Sequence, residues 1–184
     1  METSEVICAV STAPGIGAIA VLRMSGTGCI ALTDRIFESP SGKKLTGSKA
    51  NTVHFGKILE EGCLLDEVLV TIFHAPHSFT GEESVEIACH GSLYIQQRLL
   101  QLLVNQGARM ATPGEFTQRA FLNGKMELSQ AEAVADLIAS SSAASHRMAL
   151  KQMKGGFSAE LMKLRGELLH ITSLLELELD FSEE

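Results

Sequence analysis

No stretch of the 184 residues approaches the roughly eighteen consecutive apolar positions of a membrane-spanning helix. The opening METSEVICAVSTAPG is acidic and lacks the apolar run of a secretory leader, so a cytoplasmic location is expected. The four cysteines, Cys8, Cys29, Cys63 and Cys89, are widely separated and form no C-x-x-C pair. That spacing excludes a disulfide framework or a zinc finger, and Cys8 and Cys89, set in apolar runs, read as buried thiols. No G-x-x-x-x-G-K-[ST] occurs: Gly42-Lys43 and Gly124-Lys125 lack both the upstream glycine and the following hydroxyl. A phosphate-cradling loop of that kind is therefore excluded from this chain. Basic charge is also scarce. The net charge is −7, and the last eleven residues, LLELELDFSEE, hold five acids and no base, so the rest is close to neutral at −2. A dense basic footprint for gripping nucleic acid is absent, and a small molecule or a protein is the better-matched partner.

What is present is an ordinary globular balance, 45% apolar and 20% charged, laid out in two textures. Up to about Gly114, short Val- and Ile-rich runs (VICAVST, AIAVLRM, NTVHFGKIL, EVLVTIF and VEIACH) read as strands. Between them TGCIALTDRIF and SLYIQQRLLQLLVNQG read as helices, the second from the spacing of Ile95, Leu99, Leu102 and Leu103, with Gly107 as its stop. SPSGKKLTGSKAN reads as a surface loop. From about Glu115 the strand signal vanishes. Ser129-Gln130-Ala131-Glu132 has the form of a capping box ahead of one long Ala-rich helix, which Gly155-Gly156 breaks. A second helix begins near Ser158, with Leu161, Leu164, Leu168, Ile171 and Leu175 at 3-4 spacing. Such a seam must be covered. The expected fold class is α+β: a mixed α/β domain over residues 1–118, then, over 119–184, the first long helices of an incomplete bundle. The exposed seam is expected to recruit another helix or to lose order towards Glu184.

Several local patterns carry chemistry. Gly15-Ile16-Gly17-Ala18-Ile19-Ala20 fits G-x-G-x-x-A, but a dinucleotide site needs a helix to open there, and Ile19 to Leu22 is instead a β-type run. The segment reads as a turn between two strands. His74-Ala75-Pro76-His77 reads as a loop, since Pro76 interrupts any helix that aligns the two rings. In Ser84-Val85-Glu86-Ile87-Ala88-Cys89-His90, alternation puts Glu86 with Ser84, Ala88 and His90, opposite Val85, Ile87 and Cys89. Glu86 is either part of a solvated face or a carboxylate accepting paired N–H donors from a heterocycle. Arg23 shares a strand face with Ile19 and Val21 and so needs an anionic partner, either internal or a ligand. Lys125 lies in the turn Asn123-Gly124-Lys125, where a lysine is ordinarily solvated. Arg147, Lys151 and Lys154 form a helical stripe that suits either solvent or an RNA backbone.

The segments APGIGAIAVLRMSG, LLDEVLV, APHSFTGEESVEIACHGS, ATPGEFTQRAFLNGKMELSQAEAVADLIAS and LELDFSEE follow one another along nearly the whole chain. Together they resemble the N-terminal region of the tRNA-modification GTPase family known as MnmE or TrmE. The chain departs from that family at Ile16, where an arginine is usual, at Ala18, and at His90-Gly91-Ser92 in place of His-Gly-Gly. The resemblance implies a tetrahydrofolate-binding, homodimerising front domain that holds formyl-tetrahydrofolate, a one-carbon donor for modifying the wobble uridine of tRNAs. Its cofactor contacts align with Arg23, Glu86 and Lys125; no catalytic residue and no metal ligand is implied within the chain. The rest of such a protein implies a GTPase domain with GTP, magnesium and potassium, and a flavin-dependent partner, MnmG (also called GidA). The chain is accordingly expected to be a piece of a longer protein with no complete active site of its own. The rival expectation is a purely structural dimerisation scaffold without a working folate site; a nucleotide-binding oxidoreductase built on GIGAIA ranks below both.

Overall fold

A computed structural model describes residues 5–182. It divides into two compact units, the first ending at Lys125 and the second beginning at Met126. Helix α3 (Glu115–Leu122) and the turn behind it fall wholly within the first unit.

Among the described residues the first unit contains one sheet of seven strands in the order β3-β4-β5-β6-β2-β1-β7. The long strands are β2 (Ile19–Ser25), β4 (Thr52–Glu60), β5 (Cys63–Phe73) and β6 (Ser84–His90), each falling on a Val/Ile-rich run. β1 (Ile7–Val10) runs antiparallel to β2, so the Gly15–Gly17 segment is a connection between strands and no helix opens there. β3 (Phe37–Glu38) and β7 (Arg109–Met110) are short edge pairings. Neither is visible in the sequence, because a strand of two residues has no alternation to read. The expected helix from Thr27 to Phe37 shrinks to α1 (Cys29–Thr33). Asp34 ends it, and its carboxylate instead accepts from Leu45 N at 2.6 Å and Thr46 N at 3.0 Å. This also pulls Leu45 into the core, so the lysine-rich loop is not wholly on the surface.

Helix α2 (Leu93–Asn105) buries Leu99, Leu102 and Leu103 against one sheet face, with Leu22, Met24, Val70, Ile72, Val85 and Ile87 behind them. The period-2 pleat turns the alternate residues to the other face. There the registers line up a row of Val21, Ala88, Leu69 and Phe55 across four strands, and beside it Arg23, Glu86, Thr71 and Val53. Ile19 is 67% exposed, Val53 59%, Phe55 51% and Leu69 47%, so among the described residues this face leaves large apolar side chains open. Its connection to α2 is tight: a Cβ built on Gly91 would lie 2.3 Å from the Gly17 carbonyl oxygen, and the two segments exchange Gly17 N–H to Gly91 O and Gly91 N–H to Ala18 O.

In the second unit the expected single helix is two, α4 (Leu128–Ala139) and α5 (Ala143–Met153). Serines make the break: Ser140 Oγ donates to its own preceding turn at Leu137 O, and Ser142 caps α5 by accepting from Ser145 N. The start of α4 also differs from the capping box expected at Ser129. Glu127 is the N-cap, and its N–H donates to Gln130 Oε1 at 2.8 Å. The buried alanines Ala133 and Ala149 belong to α4 and α5, whose ends are tied by Gln130 Nε2 to Met153 O and Gln152 Nε2 to Ser129 O. Helix α6 (Gly156–Ser182) carries the apolar seam, and Leu161, Leu164, Leu168, Ile171 and Leu175 are all at least half exposed. Lys151 of the basic stripe pairs with Glu160 at 3.0 Å. Helical order is described through Ser182; Glu184, where loss of order was expected, lies outside the described residues.

Candidate functional site

Antiparallel pairing of β2 with β6 places Arg23 directly opposite Glu86, although 63 residues separate them. Both point to the open face, where each side chain is 29% exposed. The guanidinium does not form the usual two-oxygen fork. Nε at 2.9 Å and Nη2 at 2.6 Å both donate to Glu86 Oε1, and among the described residues no hydrogen bond reaches Oε2. The Arg23 guanidinium carbon also lies 5.4 Å from the ring centre of Phe79 and 5.8 Å from that of Phe116, cation–π distances for both. Phe79 comes from the β5–β6 connection and Phe116 from α3 (Glu115–Leu122).

Lys125 is not joined to this pair by any hydrogen bond or ion pair among the described residues. Its Nζ donates to Pro76 O at 2.9 Å, on the same connection that carries Phe79. The turn after α3 forms as the Asn-Gly-Lys sequence suggests: Gly124 has φ 68°, Gly124 N donates to Phe121 O and Lys125 N to Ala120 O. Asn123 Nδ2 fastens the turn to Thr80 O at 2.8 Å, and the Lys125 stem packs over Gly81, which offers no side chain to obstruct it. Arg23 and Glu86 are thus brought together, and Lys125 holds the loop beside them.

Beside the site, from Ser25 onward on the same strand face as Arg23, lies a polar network that sequence reasoning missed. Arg119 is 4% exposed and donates to Glu82 Oε2, Glu115 Oε1 and the Glu5 carbonyl. Ser25 Oγ donates to Glu82 Oε2 at 2.7 Å and contacts Thr80 Oγ1 at 2.6 Å. Arg109 grips Glu115 with both Nη atoms, and Thr112 N donates to Glu115 Oε2. The Arg109 hydrogen bonds pull the Glu115 carboxyl down to about 2, against a smaller upward push from burial. Glu115 and Arg119 stand at i, i+4 in EFTQR, a signal available in the sequence, but Glu82 and Glu5 become partners only through the fold. At the far end of the open face, His90 Nδ1 lies 2.6 Å from Asp66 Oδ1, and His90 lines a groove of about 150 Å³ with Ile19, Phe55, Leu69 and Ala88. His74 Nε2 sits 3.0 Å from Ser48 O, in the loop role expected for it. Cys8, Cys29 and Cys89 are buried, and burial pushes their thiols up, to about 11 for Cys8 and Cys89; Cys63 is exposed.

Residues 6–125 match the family described as GTP-binding protein TrmE N-terminus, and residues 128–184 match the MnmE helical domain. Over 179 residues the chain is 62% identical to the tRNA modification GTPase MnmE of Parabacteroides distasonis, covering 96% of this chain and 39% of the relative. Against that of Bacteroides thetaiotaomicron the identity is 61% over 181 residues, covering 98% and 39%; against that of Flavobacterium johnsoniae it is 56% over 184 residues, covering 100% and 40%. The chain therefore spans about two-fifths of the length of these curated relatives. No described helix is long and apolar enough to cross a membrane.

Proposed function

Since the chain belongs to the TrmE N-terminal family and continues into an MnmE helical segment, we propose that it is the folate-binding and self-association module of a GTPase that modifies the wobble uridine of tRNAs. The observation that carries this reading is the unmatched acceptor Glu86 Oε2 on an open sheet face, beside an Arg23 guanidinium that lies within cation–π distance of Phe79 and Phe116. A reduced pterin presents adjacent N–H donors on a flat bicycle, and an ionised carboxylate is the acceptor that chemistry calls for. The residues fit formyl-tetrahydrofolate. Glu86 would hold the heterocycle, Arg23 would keep Glu86 in place, and Lys125 would fix the Pro76–Gly81 segment at the rim. When bound, the cofactor supplies a one-carbon unit; GTP, magnesium and potassium belong to a GTPase domain in the rest of such a protein, and MnmG is the expected flavin-dependent partner.

Self-association is supported by the row Val21, Ala88, Leu69 and Phe55 with Ile19 and Val53 around it, an apolar surface that a second copy can cover. One observation favours the rival scaffold reading: Arg23 and Glu86 already neutralise each other without any ligand. The two readings separate in one variant. Under the folate reading, Glu86→Ala abolishes formyl-tetrahydrofolate binding in calorimetry and leaves the dimer mass by light scattering unchanged. A wild-type dimer that takes up no folate sinks the first reading in favour of the scaffold.

A further inference from the structure

An arginine on an open strand face has no reason of its own to crowd two donors onto a single carboxylate oxygen. Left free, the planar fork spans both oxygens of a facing carboxylate, which maximises its hydrogen bonds and satisfies the acid completely. In this chain Nε and Nη2 converge on Glu86 Oε1 and leave Oε2 open. What differs from a free pair is the position of the guanidinium, which lies within cation–π distance of Phe79 and of Phe116. These rings come from two separate elements, and each is anchored independently of Arg23. The Phe79 connection is tied by Asn123 Nδ2 to Thr80 O and by Lys125 Nζ to Pro76 O. The Phe116 helix is tied by Arg119 to Glu82 and to the Glu5 carbonyl.

We propose that Phe79 and Phe116 are positioning residues for the ligand: they hold the Arg23 guanidinium side-on to Glu86, so that Oε1 is occupied and Oε2 stays free for a heterocycle N–H donor. This rests on the folate reading and deepens it, because it divides the three aligned positions by role. Glu86 meets the ligand, Arg23 orients Glu86, and two phenylalanines that local pattern does not single out orient Arg23. A side chain of equal apolar bulk without a π-face fills the space and loses the function.

The test is calorimetric titration of the full chain with formyl-tetrahydrofolate, using Phe79→Leu and Phe79→Tyr alone and in an Arg23→Gln background. Phe79 is 38% exposed, so its replacement leaves the core intact. Phe79→Leu is expected to weaken binding about tenfold, roughly 1.4 kcal/mol, and Phe79→Tyr, which keeps the ring face, to stay near wild type. In the Arg23→Gln background the Leu change is expected to add nothing, a coupling that mere packing does not produce. As a second readout, the Arg23 Nε–H resonance should shift with Phe79→Leu and not with Phe79→Tyr. Equal binding by wild type and Phe79→Leu, or an equal loss in both backgrounds, overturns this assignment while the folate reading stands. Absence of formyl-tetrahydrofolate binding by wild type overturns both.

Discussion

Arg119 ties α3, and with it Phe116, to Glu82 and to the Glu5 carbonyl. Its guanidinium is 4% exposed and faces two carboxylates that are themselves 12% and 10% exposed, Glu82 at 3.1 Å and Glu115 at 3.3 Å. Replacing it with Met keeps the aliphatic volume and removes the charge. Removing one member of a buried ion pair costs about 3–5 kcal/mol, because the partner is left charged in a poor solvent. Here Glu115 keeps Arg109 and Glu82 keeps the Ser25 hydroxyl, which places Arg119→Met at the lower end, about 3 kcal/mol. With a urea dependence of about 1–3 kcal/mol per molar, the midpoint should fall by about 1–3 M in circular dichroism. A loss under about 0.5 kcal/mol for Arg119→Met, the range of an ordinary surface substitution, would refute the view that this network holds α3 in place.

Glu115 gives the acid limb of stability its shape. Its carboxyl is held at about 2 by Arg109, against about 4.3 for an unfolded glutamate, so its contribution is complete above about pH 4.3 and fades as pH falls towards 2. Glu115→Gln should flatten that part of the curve in acid-unfolding measurements; an unchanged curve contradicts the assignment. In a thiol titration of the native chain, Cys63 should react quickly while Cys8, Cys29 and Cys89 wait for unfolding. Gly91→Ala drives a Cβ into the Gly17 carbonyl and should lower stability by about 2–3 kcal/mol, whereas Gly47→Ala, with nothing within 4 Å, should be neutral; equal effects would show that the loop yields.

The sequence disclosed the parts of this site better than their assembly. Alternation in SVEIACH sorts Glu86 from Val85 and Ile87, and Arg23 on the face of Ile19 and Val21 announces that it needs an anion. That each supplies the other's need is a property of the β2–β6 register, and local pattern does not contain register between strands 63 residues apart. The same limit hid Phe79 and Phe116, whose meeting over Arg23 requires a loop and a helix to be placed first. Lys125 shows an intermediate case: Asn-Gly-Lys spells out its turn, while Pro76 as its acceptor is settled only in three dimensions. In the helical unit, apolar period alone does not separate one helix from two. The serines that end α4 and cap α5 act through their hydroxyls, which a count of apolar spacing ignores.

A folate module that works as a dimer should bind its cofactor in this chain by itself. The direct measurement is calorimetric titration of the wild-type chain with formyl-tetrahydrofolate, with its mass followed by light scattering in the same buffer. Saturable binding at one site per subunit in a particle of twice the chain mass is the predicted result. A dimer that produces no heat of binding up to saturating cofactor would contradict the claim and leave a scaffold in its place.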